Sequence, residues 1–213
     1  MAQANVGARF WDGVARKYAR DPIADMAGYQ YTLDRTKSYL SEKDVVLELG
    51  AGTSSTALDL APGVTRYLAT DISPEMVRIG REKAGDTAPL EIEVGTSATM
   101  AARGETFDAV LAHNLVHLLP DLPNALADIA KLTRTGGVFI QKTACLASAP
   151  WFKRVFYRVM IAALSLMGKA PGVVHFLRGE ELDVMVRAAG FEIVETSQDK
   201  GDVPRRYIVA RKL

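Results

Sequence analysis

The stretch that most constrains this chain is Val45-Val46-Leu47-Glu48-Leu49-Gly50-Ala51-Gly52-Thr53. An apolar run rich in β-branched residues that ends in two closely spaced glycines reads as a buried parallel strand entering a tight turn. The spacing of Thr56, Ala57, Leu58, Leu60 and Ala61 predicts a helix directly after it. A strand, a glycine turn and a helix in that order belong to an α/β sheet. Glycine suits the turn because it has no Cβ: it takes positive φ and lets a ligand lie against the backbone. The following helix turns its free N–H groups and positive dipole end toward the same place. A nucleoside-bearing cofactor fits that space.

The spacing narrows the cofactor. A dinucleotide fingerprint carries a third glycine three residues after the second, and position 55 is Ser55. Glu48 lies within the strand's end, two residues before Gly50, where a carboxyl group meets a cationic or hydrogen-bonding part of a ligand. Glu48-x-Gly50-Ala51-Gly52-Thr53 resembles motif I of the class I S-adenosylmethionine-dependent methyltransferases. The resemblance extends to the type 11, UbiE-like branch that acts on small molecules. It implies that Glu48, Gly50 and Ala51 hold the methionine end of S-adenosylmethionine, with Gly52 close to the cofactor.

The chain beyond the turn carries the resemblance further. Thr65 to Thr70 reads as a second strand ending at Asp71, about twenty residues past the glycines, where an acid accepts hydrogen bonds from ribose hydroxyls. Asp71-Ile72-Ser73-Pro74-Glu75 is also a helix start, with Ser73 as cap and Pro74 at the first helical position. The family's Asp-x-Ser-Pro-x-Met segment implies that Ile72 and Met76 pack on the adenine; read alone, Met76 is core. Leu90 to Val94 alternates as a third strand leading to Gly95-Thr96-Ser97-Ala98. The family usually has an acid where Thr96 stands, so here Thr96 and Ser97 are expected to bind cofactor through the backbone.

Thr106 to Ala112 reads as the fourth strand, and its tip carries His113 and Asn114, with His117 one helical turn on. Parallel sheets bind ligands at their strands' carboxyl ends, so His113 is a candidate contact for substrate or cofactor. Leu122 to Leu132 is helical, with Gly136-Gly137 expected to end the helix before a fifth strand at Val138 to Gln141. Two N-terminal helices over residues 8–40, broken at Asp21-Pro22, either cover an edge of the core or form a lid: Phe10-Trp11-Asp12, Ala15 and Tyr18 resemble the family's lid segment, with Tyr18 as the candidate contact. Residues 151–167 mix aromatics with Lys153, Arg154 and Arg158. They have three readings: a core-covering helix, a substrate cap, or a peripheral membrane contact. A helix from Arg178, stopped by Gly190, precedes strands at Phe191 to Glu195 and Arg206 to Ala210, joined by a polar turn at Asp199 to Asp202.

The expected fold is a Rossmann-like α/β domain: a seven-stranded, mostly parallel sheet with a C-terminal antiparallel hairpin and helices on both faces. One domain covers 1–213: helical lid 1–43, cofactor core 44–145, insertion 146–180, closing helix and hairpin 181–213. A formal net charge of +1 gives no general attraction to nucleic acid. The single cysteine, Cys145, forms no internal disulfide, and with no apolar leader or spanning segment the expected compartment is the cytoplasm. Three histidines without an acid-rich cluster make no metal site.

The expected activity is methyl transfer from S-adenosylmethionine to a small, partly apolar acceptor by in-line displacement, in which alignment and exclusion of water carry the catalysis. If the acceptor is protonated, His113, His117 and Tyr18 are the candidate bases. Alternatives are a lipid-headgroup methyltransferase at a membrane surface, a nicotinamide-dependent reductase, and a non-catalytic cofactor-binding or membrane-interaction module.

Overall fold

Seven strands hydrogen-bond into one sheet: β1 (Val45–Leu49), β2 (Arg66–Asp71), β3 (Leu90–Val94), β4 (Phe107–His113), β5 (Thr133–Ala144), β6 (Phe191–Asp199) and β7 (Arg205–Lys212). Their order is β3-β2-β1-β4-β5-β7-β6. The first five are parallel, and β7 enters antiparallel between β5 and β6. The computed structural model describes residues 2–199 and 203–213, with side chains from residue 7 onward. The turn expected at Asp199 to Asp202 therefore lies, beyond Asp199, outside the described residues.

The central strands are apolar on both faces because helices cover both. Leu47, Leu68, Val110, Phe139 and Ile208 point to one side. There they pack under α5 (Ser97–Ala101), α6 (Leu122–Leu132) and α8 (Gly179–Ala188). Val46, Tyr67, Leu111, Ile140 and Val209 point to the other, with α2 (Met26–Lys37) and α3 (Ser55–Leu60). On the same side, α4 (Pro74–Ala84) follows β2 and carries α1 (Ala2–Arg20) on its outer surface. The helical N-terminal segment breaks where Asp21-Pro22 stands.

One boundary differs from expectation. Gly136-Gly137 do not end α6, which stops at Leu132. Thr133 is already extended, and its hydroxyl donates to the Ile129 carbonyl at 2.7 Å, satisfying one of the orphan carbonyls of the last turn. The glycines instead lie in an irregularity of β5, where the pairing with β4 jumps from Phe107↔Thr133 to Ala109↔Val138. Gly136 takes φ +78° there.

The C-terminal unit is tied in by charge as well as by the sheet. Asp183 on α8 and Arg206 on β7 make two contacts, Nε to Oδ1 at 3.1 Å and Nη2 to Oδ2 at 2.5 Å. Arg35 on α2 pairs with Glu195 on β6, and the Tyr39 hydroxyl donates to the same carboxyl at 2.6 Å.

Candidate active site

The carboxyl ends of β1, β2, β4 and β5 bring together residues that are far apart in sequence. Cross-strand register puts Glu48, Asp71, His113, Lys142 and Tyr207 on the same face of the sheet, because side chains alternate with period two. Neighbouring parallel strands stagger these residues into a row along the sheet's edge.

The turn after β1 supplies the floor. Gly50 and Gly52 take φ of +66° and +56°, the left-handed region that favours glycine. A Cβ on Gly50 would lie 2.7 Å from the Leu115 side chain, so no larger residue fits there without displacing it. Ser54 is also left-handed, at φ +60°, and α3 after it is only six residues long. Ala51 holds the turn to β2 through its N–H, which donates to the Thr70 carbonyl at 2.9 Å.

Asp71 sits opposite this turn, buried to 8% exposure. Its Oδ2 accepts from the Gly52 N–H and its Oδ1 from the Ser73 N–H, both at 2.9 Å. Burial pushes its carboxyl up from the ordinary range, while the two amides pull it back. Each oxygen keeps a second lone pair, so the group is oriented by the backbone and still able to accept from a diol. These residues fit the adenosine part of S-adenosylmethionine.

Glu48 is buried at 2% exposure beneath the turn. Its Oε2 accepts from the Tyr67 hydroxyl at 2.8 Å, and its Oε1 lies 3.8 Å from His113 Nδ1. His113 Nε2 is 3.4 Å from the Thr36 hydroxyl on α2. Tyr18, from α1, reaches over the same place: a Cβ on Gly52 would be 3.7 Å from its ring. Burial first, then the Asp71 and Glu48 charges, raise the Tyr18 hydroxyl above its ordinary value, so the phenol stays protonated at neutral pH.

The other candidates lie at the margins. Ile72 is half-buried beside Asp71. Met76 is buried between α1 and α4 with Ala15 and Ile79. Thr96 caps α5: its hydroxyl accepts from the Thr99 N–H, and its own N–H donates to the Thr99 hydroxyl, with Ser97 as the first helical residue. His117 faces a different neighbourhood, where its carbonyl accepts from the His175 N–H at 2.8 Å. Burial, with His175 and Arg205 nearby, pushes its imidazole down to about 4.

One further candidate escapes the sequence reading. Lys142, two residues before the end of β5, lies beside His113, and its ammonium donates to the Gly28 carbonyl and the Thr32 hydroxyl at 3.2 and 3.0 Å. Burial, then Arg205, lowers its pKa. It lines a cavity of about 410 Å³ with Tyr31, Thr32, Arg205 and Tyr207. The Tyr207 hydroxyl there is buried without a hydrogen-bond partner among the described residues. Asp12, in the lid-like segment, docks α1 onto the start of α4: its Oδ1 accepts from the Ser73 hydroxyl at 2.6 Å and the Glu75 N–H at 3.0 Å. The signal for Lys142 is its place near the end of a parallel strand.

Comparisons with known proteins agree with this geometry. A family model described as a methyltransferase domain matches residues 47–141. The chain is 29% identical over 203 residues to a non-reducing polyketide synthase, mapC, of Penicillium brevicompactum; the match covers 86% of this chain but 8% of the synthase. It is 29% identical over 174 residues to the demethylmenaquinone methyltransferase of Mycobacterium marinum, covering 76% of this chain and 70% of that enzyme. The solved structure of a SAM-dependent methyltransferase from Thermotoga maritima superposes with a TM-score of 0.73 at 20% identity, covering 97% of this chain and 99% of that one. That last likeness is one of fold. The family match opens inside β1 and closes inside β5, so a methyltransferase domain of that family spans the stretch that holds the glycine turn and Asp71.

Proposed function

We propose that this chain transfers a methyl group from S-adenosylmethionine to a small, partly apolar acceptor. The observation that carries the reading is Asp71, oriented by the Gly52 and Ser73 amides across from two left-handed glycines. When bound, the cofactor supplies an already electrophilic methyl group, so the protein's task is alignment and dryness. Asp71 holds the ribose hydroxyls, the Gly50–Gly52 turn and Glu48 the methionine end, and Ile72 the adenine. Ser97, the first residue of α5, contributes its backbone N–H, since both backbone groups of Thr96 are engaged within the cap. Tyr18, on the helical lid, lies over the turn with 55% of its surface exposed, on the solvent side of the cofactor. The acceptor enters the cavity beside Lys142, lined by Tyr31 and Tyr207. Of the three candidate bases, Tyr18 is held protonated, and burial pushes the His117 imidazole down to about 4, which makes it a weak base. His113, between Glu48 and Thr36, is the group that takes a proton if the acceptor carries one.

Calorimetric titration tests the cofactor half of this reading. S-adenosylmethionine and its demethylated product should both bind, nicotinamide nucleotides should not, and Asp71→Ala should weaken the first two by about 1–3 kcal/mol. Unchanged affinity in that variant would overturn the assignment. A second reading, in which the acceptor is a lipid met at a membrane surface, is favoured by one observation: the apolar face of the helix at 151–166 is exposed.

A further inference from the structure

Helix α7 (Trp151–Leu166) is apolar on its outer side. None of its 16 residues is buried. Trp151, Phe152, Val155, Phe156, Val159 and Leu166 are exposed by 54 to 91%. At roughly 100° per residue these six fall within an arc of about 140°. The half-buried side, turned toward the body of the protein, carries Lys153, Arg154, Tyr157, Ile161 and Leu164. A surface helix of a soluble domain has the opposite arrangement, apolar stripe inward and charges outward. A contiguous exposed patch of this kind marks an interaction surface.

Charge selects the occupant. No residue between Asp128 and Glu180 is acidic, and the stretch 150–178 holds Lys153, Arg154, Arg158, Lys169 and Arg178. The whole chain is only +1, so the remainder of the molecule is net acidic. On the helical projection the exposed Arg158 borders the apolar arc, where a long basic side chain reaches headgroups while the apolar face enters the acyl boundary. Trp151 at the helix start has the amphipathic ring favoured at that depth. Pairing this face with a second copy would instead bring two sets of cations together with no carboxylate from either segment to meet them.

The helix is also in the right place. It leaves the sheet at the carboxyl end of β5, the edge that carries Lys142, through a short 3-10 turn at Leu146–Ser148. The returning chain is fastened near the site: the His175 N–H donates to the His117 carbonyl, and His175 Nε2 donates to the Leu119 carbonyl, both at 2.8 Å. The Arg158 guanidinium stands 5.1 Å from the centre of the Phe176 ring. The geometry points to α7 as a docking helix for an anionic bilayer, holding the carboxyl edge of the sheet at the lipid surface so that the acceptor is drawn from the membrane. This deepens the second reading above and rests on it.

Co-sedimentation of the full chain, without cofactor, with vesicles of phosphatidylcholine alone or mixed with phosphatidylglycerol tests the proposal. Binding is expected to the mixed vesicles. Val159→Glu, on the exposed face where folding is not at stake, should reduce it by at least roughly tenfold. Arg158→Gln should reduce it by roughly fivefold, and added salt should mimic that loss. S-adenosylmethionine titration of the same variants should be unchanged, so failure of the docking surface and failure of the methyltransferase reading give different results. A folded protein that ignores both vesicles overturns the proposal. So does a concentration-dependent dimer, seen by sedimentation velocity and dissolved by Val159→Glu, in a protein that binds no vesicle.

Discussion

His117 is a histidine kept neutral by its surroundings, and its stability contribution has a definite sign. Free imidazole titrates near 6.5, and burial pushes this one down to about 4. As pH falls below 6.5 the unfolded chain takes up a proton that the folded chain refuses, so stability is full above 6.5 and is lost between 6.5 and 4. Between pH 7 and 4.5 the native protein should lose about 2–3 kcal/mol more than His117→Gln, read by urea unfolding at the two pH values. Equal losses would mean that the ring is hydrated in both states. At the same scale, the Thr96 side chain has a role assigned only by the structure. The sequence reading places Thr96 at the cofactor without assigning its side chain, and the structure commits that side chain to capping α5. The Ser97 N–H of that loop is what remains for a ligand.

Among the elements, α1 is the one whose position depends most on a few contacts. Its spacing and the Asp21-Pro22 break make the helix legible in sequence, but not the surface it lies on. Asp12 bonds the Ser73 hydroxyl and the Glu75 amide, Arg16 pairs with Glu75, and Ala15 packs against Met76 and Ile79. Asp12→Ala removes a cap-like acceptor from the start of α4 and should cost about 1–2 kcal/mol. Hydrogen exchange should quicken in the amides of α1 while β1 and β4 stay protected. Uniform quickening would instead show that α1 is part of the global folding unit. Because Tyr18 rides on this helix, cofactor affinity should fall in the same variant.

On the scale of the whole molecule, the final strand holds the sheet together. β7 fills the place between β5 and β6, so its central residues are among the most buried: Ile208, Val209 and Ala210 have no exposed surface. The Arg206–Asp183 pair fastens α8 to that strand. Asp183→Ala would leave a guanidinium largely buried without its partner, and should destabilise the fold by about 3 kcal/mol in denaturant unfolding. Asp183→Ala combined with Arg206→Leu should recover part of that loss, since an apolar pair has no uncompensated charge. The hairpin at the sheet's end was legible from two apolar runs joined by a polar turn, Phe191 to Glu195 and Arg206 to Ala210. Which of its strands lies beside β5 was not legible, because strand order is set by contacts between segments that no local pattern records.

What the sequence determined by itself follows from short-range physics. The β-branched run ending in Gly50 and Gly52 specified a strand and a left-handed turn. Ser73-Pro74 specified a helix start, and periodicity marked the helices. Tertiary structure decided what those elements bring together. Glu48, Asp71, His113 and Lys142 share a face because parallel strands align in register, a relation with no signature along the chain. Packing also decided that Met76 is buried between two helices, and that His117 turns toward the 175 segment. It left the aromatic face of α7 outward, where composition alone would have predicted a helix covering the core.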